Sequence, residues 1–230
     1  MVTWCGSSGA RFSVAIAIAA FATTNAAIAR ADDVTAEETE ETGLALPPPP
    51  DRGPSWWELE VGALAVVPIE RSAICPANRD CVMNAGVGLA TRLTRRSPDG
   101  VGWGLAYDLW VLDSASLYEV ALLHSLRGHL RYVLDSSSRV QPWIGASVGL
   151  LLFGDASSVS TGGGVVTGGA GVQVELSSEF AVFASAEAWL FATAPFSTRD
   201  GTTRADPFGV NLVLEVALGV MVRFGAVERL

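Results

Sequence analysis

The chain has 230 residues, of which 50% are hydrophobic, and its formal net charge is −9. This length suits one sizeable domain. The acidic balance, with no basic cluster, gives no reason to expect nucleic-acid binding. Beyond the N-terminal end, no apolar run reaches the ~18 residues that a membrane-spanning helix needs. Apolar residues interleaved with polar ones must therefore account for the high hydrophobic content.

The N-terminal end has the features of a secretory signal. Arg11 precedes the apolar stretch Phe12–Ala22, and small residues at Ala27, Ala29 and Ala31 offer two cleavage sites. We expect residues 1–31 to be a signal peptide. Residues 32–54 are acidic and then proline-rich, a composition that predicts a disordered periplasmic linker. Residues 55–226 would form the folded domain, and residues 227–230 a short tail.

Two cysteines remain after the signal peptide. Cys75 and Cys81 are close in sequence, and no histidine or further cysteine lies nearby. In an exported protein this spacing favours a small loop disulfide over a metal site.

The last long segment shows the pattern most clearly. From Val210 to Phe224 every even position is apolar, whereas the odd positions are polar, small or mixed. A period of two describes a strand with one apolar face. The segment is longer than the usual 3–10 residues of a globular strand, whereas a tilted transmembrane strand needs ~9–11 residues and can project beyond the bilayer. A helix is less consistent with its many β-branched residues.

Seven further segments alternate in the same way. With the last one, they predict an all-β fold, an eight-stranded antiparallel up-and-down transmembrane β-barrel. The eight predicted segments are Trp56–Val67, Asn84–Arg95, Gly102–Leu112, Leu117–Leu134, Val140–Phe153, Val165–Leu176, Phe180–Ala194 and Phe208–Phe224.

The connections differ in length on the two sides of this predicted barrel. Tight turns are expected at residues 96–101, 135–139 and 177–179, and longer loops at 68–83, 154–164 and 195–207. The short connection at 113–116 breaks the pattern. Short periplasmic turns and longer outer loops are typical of outer-membrane barrels. Both chain ends would then lie in the periplasm.

Aromatic residues concentrate near both predicted rims, as interfacial girdles require. The periplasmic rim would hold Trp56, Trp57, Trp103, Tyr132, Trp143, Phe180 and Phe224, and the outer rim Trp110, Tyr118, Phe153, Trp189, Phe191 and Phe208. Trp110, Trp143, Phe153 and Trp189 have inward parity, however. Either bulges shift the register there or these rings fill the lumen.

The polar face of each segment predicts what the barrel contains. Eight strands leave an interior just wide enough for side chains, so charges there have to be paired. We predict a lumen that is plugged by ion pairs, with a narrow ion path as the alternative. Gln141 and Gln173 would lie beside the predicted charge network, which comprises Glu58, Glu60, Arg92, Asp108, Glu119, Arg127, Arg131, Glu175, Glu187, Glu215 and Arg223.

The segment pattern and the terminal stretch Gly219–Phe224 together resemble the small outer-membrane barrels of the OmpA/OmpX type. The resemblance implies an outer-membrane protein of a Gram-negative bacterium, a monomer in contact with lipid and lipopolysaccharide. It also implies that the barrel assembly machinery reads Gly219, Val222 and Phe224. In this family the aromatic residue is usually the last one, whereas here residues 225–230 follow it.

No catalytic constellation is evident, so we expect a non-enzymatic protein without a cofactor or a metal, with an envelope or loop-presenting role. The two histidines are His124 and His129, and Ser125, next to His124, would point to the opposite face of its strand. Three alternatives stay open at this point: a small channel, a lipid-modifying outer-membrane enzyme, and a secreted lipocalin-like binding barrel with its apolar face inward.

Overall fold

The computed structural model describes residues 55–75, 79–135, 137–198, 200–204 and 209–225. The predicted signal peptide, the linker and the C-terminal tail therefore lie outside the described residues, as does the predicted outer-rim aromatic Phe208. Within the described ranges, no helix is long and apolar enough to cross a membrane.

The described residues contain ten strands: β1 (Trp56–Glu70), β2 (Gly86–Arg96), β3 (Val101–Leu112), β4 (Ala121–Val133), β5 (Val140–Asp155), β6 (Ser158–Glu175), β7 (Phe180–Thr193), β8 (Phe196–Ser197), β9 (Thr203–Arg204) and β10 (Asn211–Phe224). Eight long antiparallel strands close into a barrel, in the order β1-β10-β7-β6-β5-β4-β3-β2, and the short strands β8 and β9 form a separate hairpin. The predicted fold class is confirmed.

The barrel closes where its first and last long strands pair, as the predicted up-and-down topology requires. Gly62 of β1 lies opposite Gly219 of β10. A Cβ on Gly62 would come within 2.9 Å of the Phe183 ring, and one on Gly219 within 2.8 Å. The two glycines therefore make room for a large inward ring, which covers the backbone at the point of closure.

The β5–β6 connection differs from the prediction. A long loop was expected at residues 154–164, but β5 extends to Asp155 and β6 begins at Ser158, with a tight turn between them. The prediction treated the glycine- and serine-rich stretch as a loop. In the barrel it is a strand, because Gly162, Gly163 and Gly164 pair with Leu152, Leu151 and Leu150 of β5.

The β3–β4 connection is longer than predicted. Ala115 and Ser116 both have positive φ angles, 50° and 68°. The side chain of Asp113 accepts a hydrogen bond from the backbone N–H of Ala115 (3.0 Å). This turn delays the start of β4 to Ala121, so Glu119 lies exposed in a loop. Its predicted place in the lumen is wrong.

The outer face of the barrel is apolar on every long strand. Large hydrophobic side chains are exposed there while charged ones are buried inside. A water-soluble lipocalin-like barrel requires the opposite arrangement, so this alternative does not fit. Examples of the outward residues are Val61, Leu89, Leu105, Leu126, Leu150, Val166, Leu190 and Leu218.

We call the end of the barrel with the β2–β3, β4–β5 and β6–β7 connections the turn end, and the opposite end the loop end. Trp57, Trp103, Tyr132, Phe180 and Phe224 point outward near the turn end, where interfacial aromatics were expected. Trp56 and Trp143 from the same predicted girdle are buried.

The predicted outer aromatic girdle is wrong in all of its described members. Trp110, Tyr118, Phe153, Trp189 and Phe191 are buried in one hydrophobic cluster. Of the two alternatives for the inward rings, the structure therefore supports rings that fill the lumen. The physical reason is parity: side chains alternate along a strand, and four of these five share the inward face with the buried charges. Tyr118 reaches the cluster from the β3–β4 loop.

Candidate functional site

The interior has two parts, and the first is a set of buried charges that we call the charged layer. It comprises Glu58, Glu60, Arg92, Arg96, Asp108, Arg127, Arg131, Glu175, Glu187, Glu215 and Arg223, each less than one tenth exposed. These residues lie on seven of the eight long strands and include both acidic and basic side chains. The layer therefore ties together strands that are not neighbours in the sheet.

Arg127 is the centre of one group of ion pairs. Its Nη2 lies 2.6 Å from Oδ2 of Asp108, and its Nη1 lies 3.0 Å from Oε2 of Glu187. The guanidinium also stacks over the ring of Trp189, 3.9 Å from the ring centroid. Nη1 donates a further hydrogen bond to the hydroxyl of Ser147 (2.7 Å). This Arg127 side chain, which is 1% exposed, thus has partners on three other strands and an aromatic face.

Arg92 is the centre of a second group. Its Nη2 lies 2.5 Å from Glu187 and 3.5 Å from Glu215, and its Nη1 lies 3.5 Å from Glu60. The other carboxylate oxygen of Glu215 accepts a hydrogen bond from the indole N–H of Trp110 (3.1 Å). Glu187 is therefore shared by Arg92 and Arg127, which joins the two groups into one network.

A third group lies closer to the turn end, around Glu58. Oε1 of its carboxylate lies 3.2 Å from Nη1 of Arg96 and 3.1 Å from Nε of Arg223. It also accepts a hydrogen bond from the indole N–H of Trp56 (3.0 Å). Arg223 pairs in turn with Glu175 at 2.8 Å. Since β1 carries Glu58 and β10 carries Arg223, one of these ion pairs crosses the strand pair that closes the barrel.

Glycines on neighbouring strands provide the space for the longest charged side chains. A Cβ on Gly149 would come within 2.8 Å of Cγ of Arg127, and one on Gly169 within 2.6 Å of Cγ of Glu187. Here the missing side chains let two charged ones lie flat along the inner wall. The glycine-rich inner faces of β5 and β6 are therefore part of the charged layer.

The structure brings together every member of the predicted network except Glu119. Gln141 and Gln173, predicted beside it, are in hydrogen-bond contact at 2.6 Å. Sequence reasoning missed Arg96, which was assigned to a turn, and Trp56, which was assigned to the rim. The parity of β2 offered a signal, because Arg92, Thr94 and Arg96 alternate inward.

The second part of the interior is the apolar layer at the loop end. It is formed by Trp110, Leu123, Leu151, Phe153, Val165, Trp189, Phe191 and Val213 from the long strands. Trp110 and Trp189 pack with their ring centroids 4.4 Å apart. Because Arg127 stacks on Trp189 and Trp110 donates to Glu215, these two rings separate the apolar layer from the charged one.

The β1–β2 loop covers the apolar layer at the loop end of the barrel. Ile74, Val82 and Met83 of the β1–β2 connection are fully buried in the same cluster, and Cys75 and Cys81 pack against it. The structure joins these two cysteines in a disulfide. Arg71 holds the base of the loop through hydrogen bonds to Asn84 and to the carbonyl oxygen of Met83 (3.2 Å).

The β8–β9 hairpin holds the same loop from the side. Arg204 donates to the carbonyl oxygen of Asp80 (2.6 Å) and to the hydroxyl of Thr198 (2.8 Å). Hydrogen bonds from Thr198, and then from Thr202, together with the charge of Arg204, hold the pKa of Asp200 well below its usual range. We call the β1–β2 loop and this hairpin together the cap.

The charged layer leaves little open space. A cavity of about 20 Å³ lies among Arg92, Arg127, Arg131, Trp143 and Glu187. That is room for about one water molecule, which needs ~10–15 Å³. A cavity of this size is not a continuous aqueous path.

The wall offers no Ser–His pair at His124. Its Nδ1 lies 2.8 Å from the hydroxyl oxygen of Tyr107, and this pair is on the outer face. Ser125 points inward and donates to Asp108 (2.9 Å). The other histidine, His129, faces inward, with its Nε2 2.8 Å from the hydroxyl of Thr94.

The residues of the predicted assembly signal lie along the closing strand. Phe224 is exposed on the outer face and lies opposite Trp57, and Val222 lies opposite Leu59. Gly219 lies at the closure beneath Phe183.

Comparison with known proteins adds the fold class. No family model matches the chain, and a search of curated proteins finds no match. Solved structures do match. Neisserial surface protein A has 16% sequence identity and a TM-score of 0.50 over 76% of this chain and 100% of its own. The outer membrane protein AlkL has 12% identity and a TM-score of 0.52 over 79% of this chain and 95% of its own.

The chain therefore has the fold of the small eight-stranded outer-membrane β-barrels, as the resemblance in its sequence implied.

Proposed function

We propose that this protein is a non-enzymatic β-barrel of the Gram-negative outer membrane, with a plugged lumen and a role in the envelope or in presenting its loops. The observation that carries the proposal is the two-faced wall. Its outward residues are apolar on all eight strands, while its charges are buried and paired inside. A closed barrel satisfies its backbone hydrogen bonds within the sheet, which is what a spanning structure needs in lipid.

The proposed orientation puts the turn end and both chain ends in the periplasm. Three of the four connections at the loop end, β1–β2, β3–β4 and β7–β10, are longer than those at 97–100, 134–139 and 176–179, and β5–β6 is the exception. This difference and the outward aromatics at the turn end support the assignment. The cap would then face the outside. Labelling of intact cells tests this with single cysteines introduced at Ser116 and Ser97 in a chain without Cys75 and Cys81. We expect an impermeant reagent to label the first position and to spare the second; the reverse pattern would contradict the orientation.

The proposed partners are membrane lipid, lipopolysaccharide and the barrel assembly machinery, with the barrel itself a monomer. Phe224, the terminal aromatic of β10, supports recognition by the barrel assembly machinery because it is exposed on the outer face, at 48%. The test compares Phe224→Ala with Phe180→Ala, since Phe180 is a matched outward aromatic at the same end, 50% exposed. We expect only the first to lower the fraction of assembled barrel in cells. Equal loss in both variants would mean that the terminal position has no special role.

Location is tested by cell fractionation combined with gel mobility before and after boiling. The proposal predicts recovery with outer membranes and a folded form whose mobility changes on heating. Recovery as a soluble periplasmic protein would overturn it.

A further inference from the structure

One polar pair stands out on the apolar outer face. His124 of β4 and Tyr107 of β3 both point outward, and the Tyr107 hydroxyl lies 2.8 Å from Nδ1 of His124. Their surroundings on the same face are Leu105, Leu109, Leu122 and Leu126. An ionisable residue in a lipid-facing band is costly, and it is the kind of residue that marks a functional site.

The pair lies beside a groove in the wall. The groove has a volume of about 280 Å³ and runs between β4 and the β5–β6 hairpin, with His124 in its lining. A β-bulge between Phe153 and Gly154 shifts the register of this hairpin. Gly154 allows the close approach there, because a Cβ at this position would come within 2.1 Å of the backbone oxygen of Ser158.

The lining of the groove changes along its length. Toward the loop end it carries the polar residues Asp155, Ser157 and Ser158 at the hairpin turn, next to Ala156 and Val159. Toward the middle of the barrel it is apolar, with Leu122 and Leu152 beside His124. A membrane lipid has the same order, with a polar headgroup at the surface and an alkyl chain below it.

His124 offers a directed donor at depth in this groove. When the Tyr107 hydroxyl donates to Nδ1, the neutral imidazole carries its proton on Nε2. No other partner of the His124 ring occurs among the described residues. Nε2–H then suits an acceptor oxygen that approaches along the groove.

We propose that this groove binds one acyl chain of an outer-leaflet lipid, and that His124, oriented by Tyr107, donates a hydrogen bond to a hydroxyl oxygen carried on that chain. The proposal rests on the outer-membrane location and orientation proposed above. It adds a lipid-recognition site on the outside of a barrel whose inside is filled.

The test uses the barrel folded in nanodiscs of dimyristoylphosphatidylcholine. Two lipids are titrated in: phosphatidylcholine with a 3-hydroxytetradecanoyl chain, and the same lipid without the hydroxyl group. Nuclear Overhauser contacts between chain protons and the methyl groups of Leu122 and Leu152 report occupancy. The methyl groups of Val216 and Leu218, on the far side of the barrel, report ordinary lipid contact.

For the unmodified chain we expect the hydroxylated lipid to occupy the groove at a lower concentration than the plain one. His124→Leu should remove this preference, a change of about three- to tenfold that corresponds to one net hydrogen bond. Tyr107→Phe should also reduce the preference for the hydroxylated lipid. Arg95→Met removes a polar outward residue at the turn end of β2, away from the groove, and should change nothing.

The outcomes separate the two proposals. A barrel that does not fold into nanodiscs would overturn the outer-membrane assignment and the lipid site together. A folded barrel would contradict the lipid site alone if its groove contacts match those at Val216 and Leu218. The lipid site would also be contradicted if the His124→Leu barrel kept the preference of the unmodified chain for the hydroxylated lipid.

Discussion

The charged layer and the apolar layer fill the same barrel by different means. In the charged layer, carboxylates and guanidinium groups form ion pairs between strands, as Arg127 does with Asp108 and Glu187. In the apolar layer, rings and aliphatic side chains pack without directional bonds. The first arrangement depends on which residue faces which; the second depends mainly on volume.

This difference bears on how the barrel keeps its register. A shift of one residue moves every inward side chain of a strand to the outer face. In the charged layer such a shift would put Arg or Glu into lipid, at about 2–4 kcal/mol for an Arg at the membrane centre. In the apolar layer it would exchange one apolar side chain for another at little cost. We infer that the charged layer sets the register, while the apolar layer mainly closes the loop end.

The largest expected effect comes from breaking the charged layer. Arg127→Met should lower the free energy of unfolding by about 3–5 kcal/mol, because it leaves Asp108 and Glu187 buried without this partner. Urea unfolding in lipid vesicles, followed by tryptophan fluorescence, measures the change. Arg95→Met is the control: Arg95 is exposed at the turn end, and its loss should change the value by less than about 0.5 kcal/mol. Equal effects of the two variants would refute the role of the charged layer.

A substitution in the apolar layer should lower the free energy of unfolding somewhat less, and its effect on amide exchange should stay near the loop end. Phe153→Ala removes a ring that packs against Tyr118 and Phe196, and should lower the free energy of unfolding by about 3 kcal/mol. Amide exchange should rise in β5, β6 and the cap but not around Glu58. Leu150→Ala, on the lipid-facing side of the same strand, is the control and should cost much less. A rise in exchange that reaches Glu58 equally would mean that the two layers do not act separately.

Loss of the disulfide should lower the free energy of unfolding by a smaller amount than either of these substitutions. Replacing both Cys75 and Cys81 with Ala should cost roughly 2 kcal/mol or less, since a short loop gains little from closure. The β1–β2 loop should become easier to cleave with protease, while the unfolding midpoint of the barrel changes little. A large fall in that midpoint would show that the cap supports the whole barrel and not only its loop end.

The smallest effect concerns pH and the β8–β9 hairpin. The pKa of Asp200 is depressed in the folded chain, mainly by the Thr198 hydroxyl. Its contribution to the hairpin is therefore complete above the ordinary Asp value of about 3.9. It is lost as the pH falls below that value toward the folded pKa. The protection of the Thr202 and Thr203 amides, taken relative to intrinsic exchange at each pH, should fall over this range, and Asp200→Asn should remove this change. Unchanged protection in the unmodified chain would contradict the assignment.

Much of this architecture follows from the period-two pattern. Alternation predicted the eight strands, the apolar outer face and most of the charged layer, because the side-chain period of a strand is fixed by its geometry. Val210–Phe224, for example, was assigned correctly in both period and parity, and Glu215 and Arg223 face inward. The closure of this strand against β1 followed from the same count of strands.

The rest depends on tertiary context that a single strand does not carry. Position near a strand end suggested that Trp110 and Trp189 were interfacial, whereas their parity made them part of the lumen. Composition suggested a loop at 154–164, whereas pairing with β5 made it a strand. The groove beside His124 needs a bulge and two separate elements, so no local pattern marked it. The turn at Ala115 and Ser116 likewise moved Glu119 out of the predicted network.

The central claim is that paired charges and packed rings close the interior of a membrane-spanning barrel. Conductance across a planar lipid bilayer tests it most directly, with the refolded protein inserted and its folding verified by heat-dependent gel mobility. We predict that the unmodified chain gives no sustained current steps. Stable steps that change in size or ion selectivity on charge reversal at Glu215 would contradict the claim and show a conducting path through the charged layer.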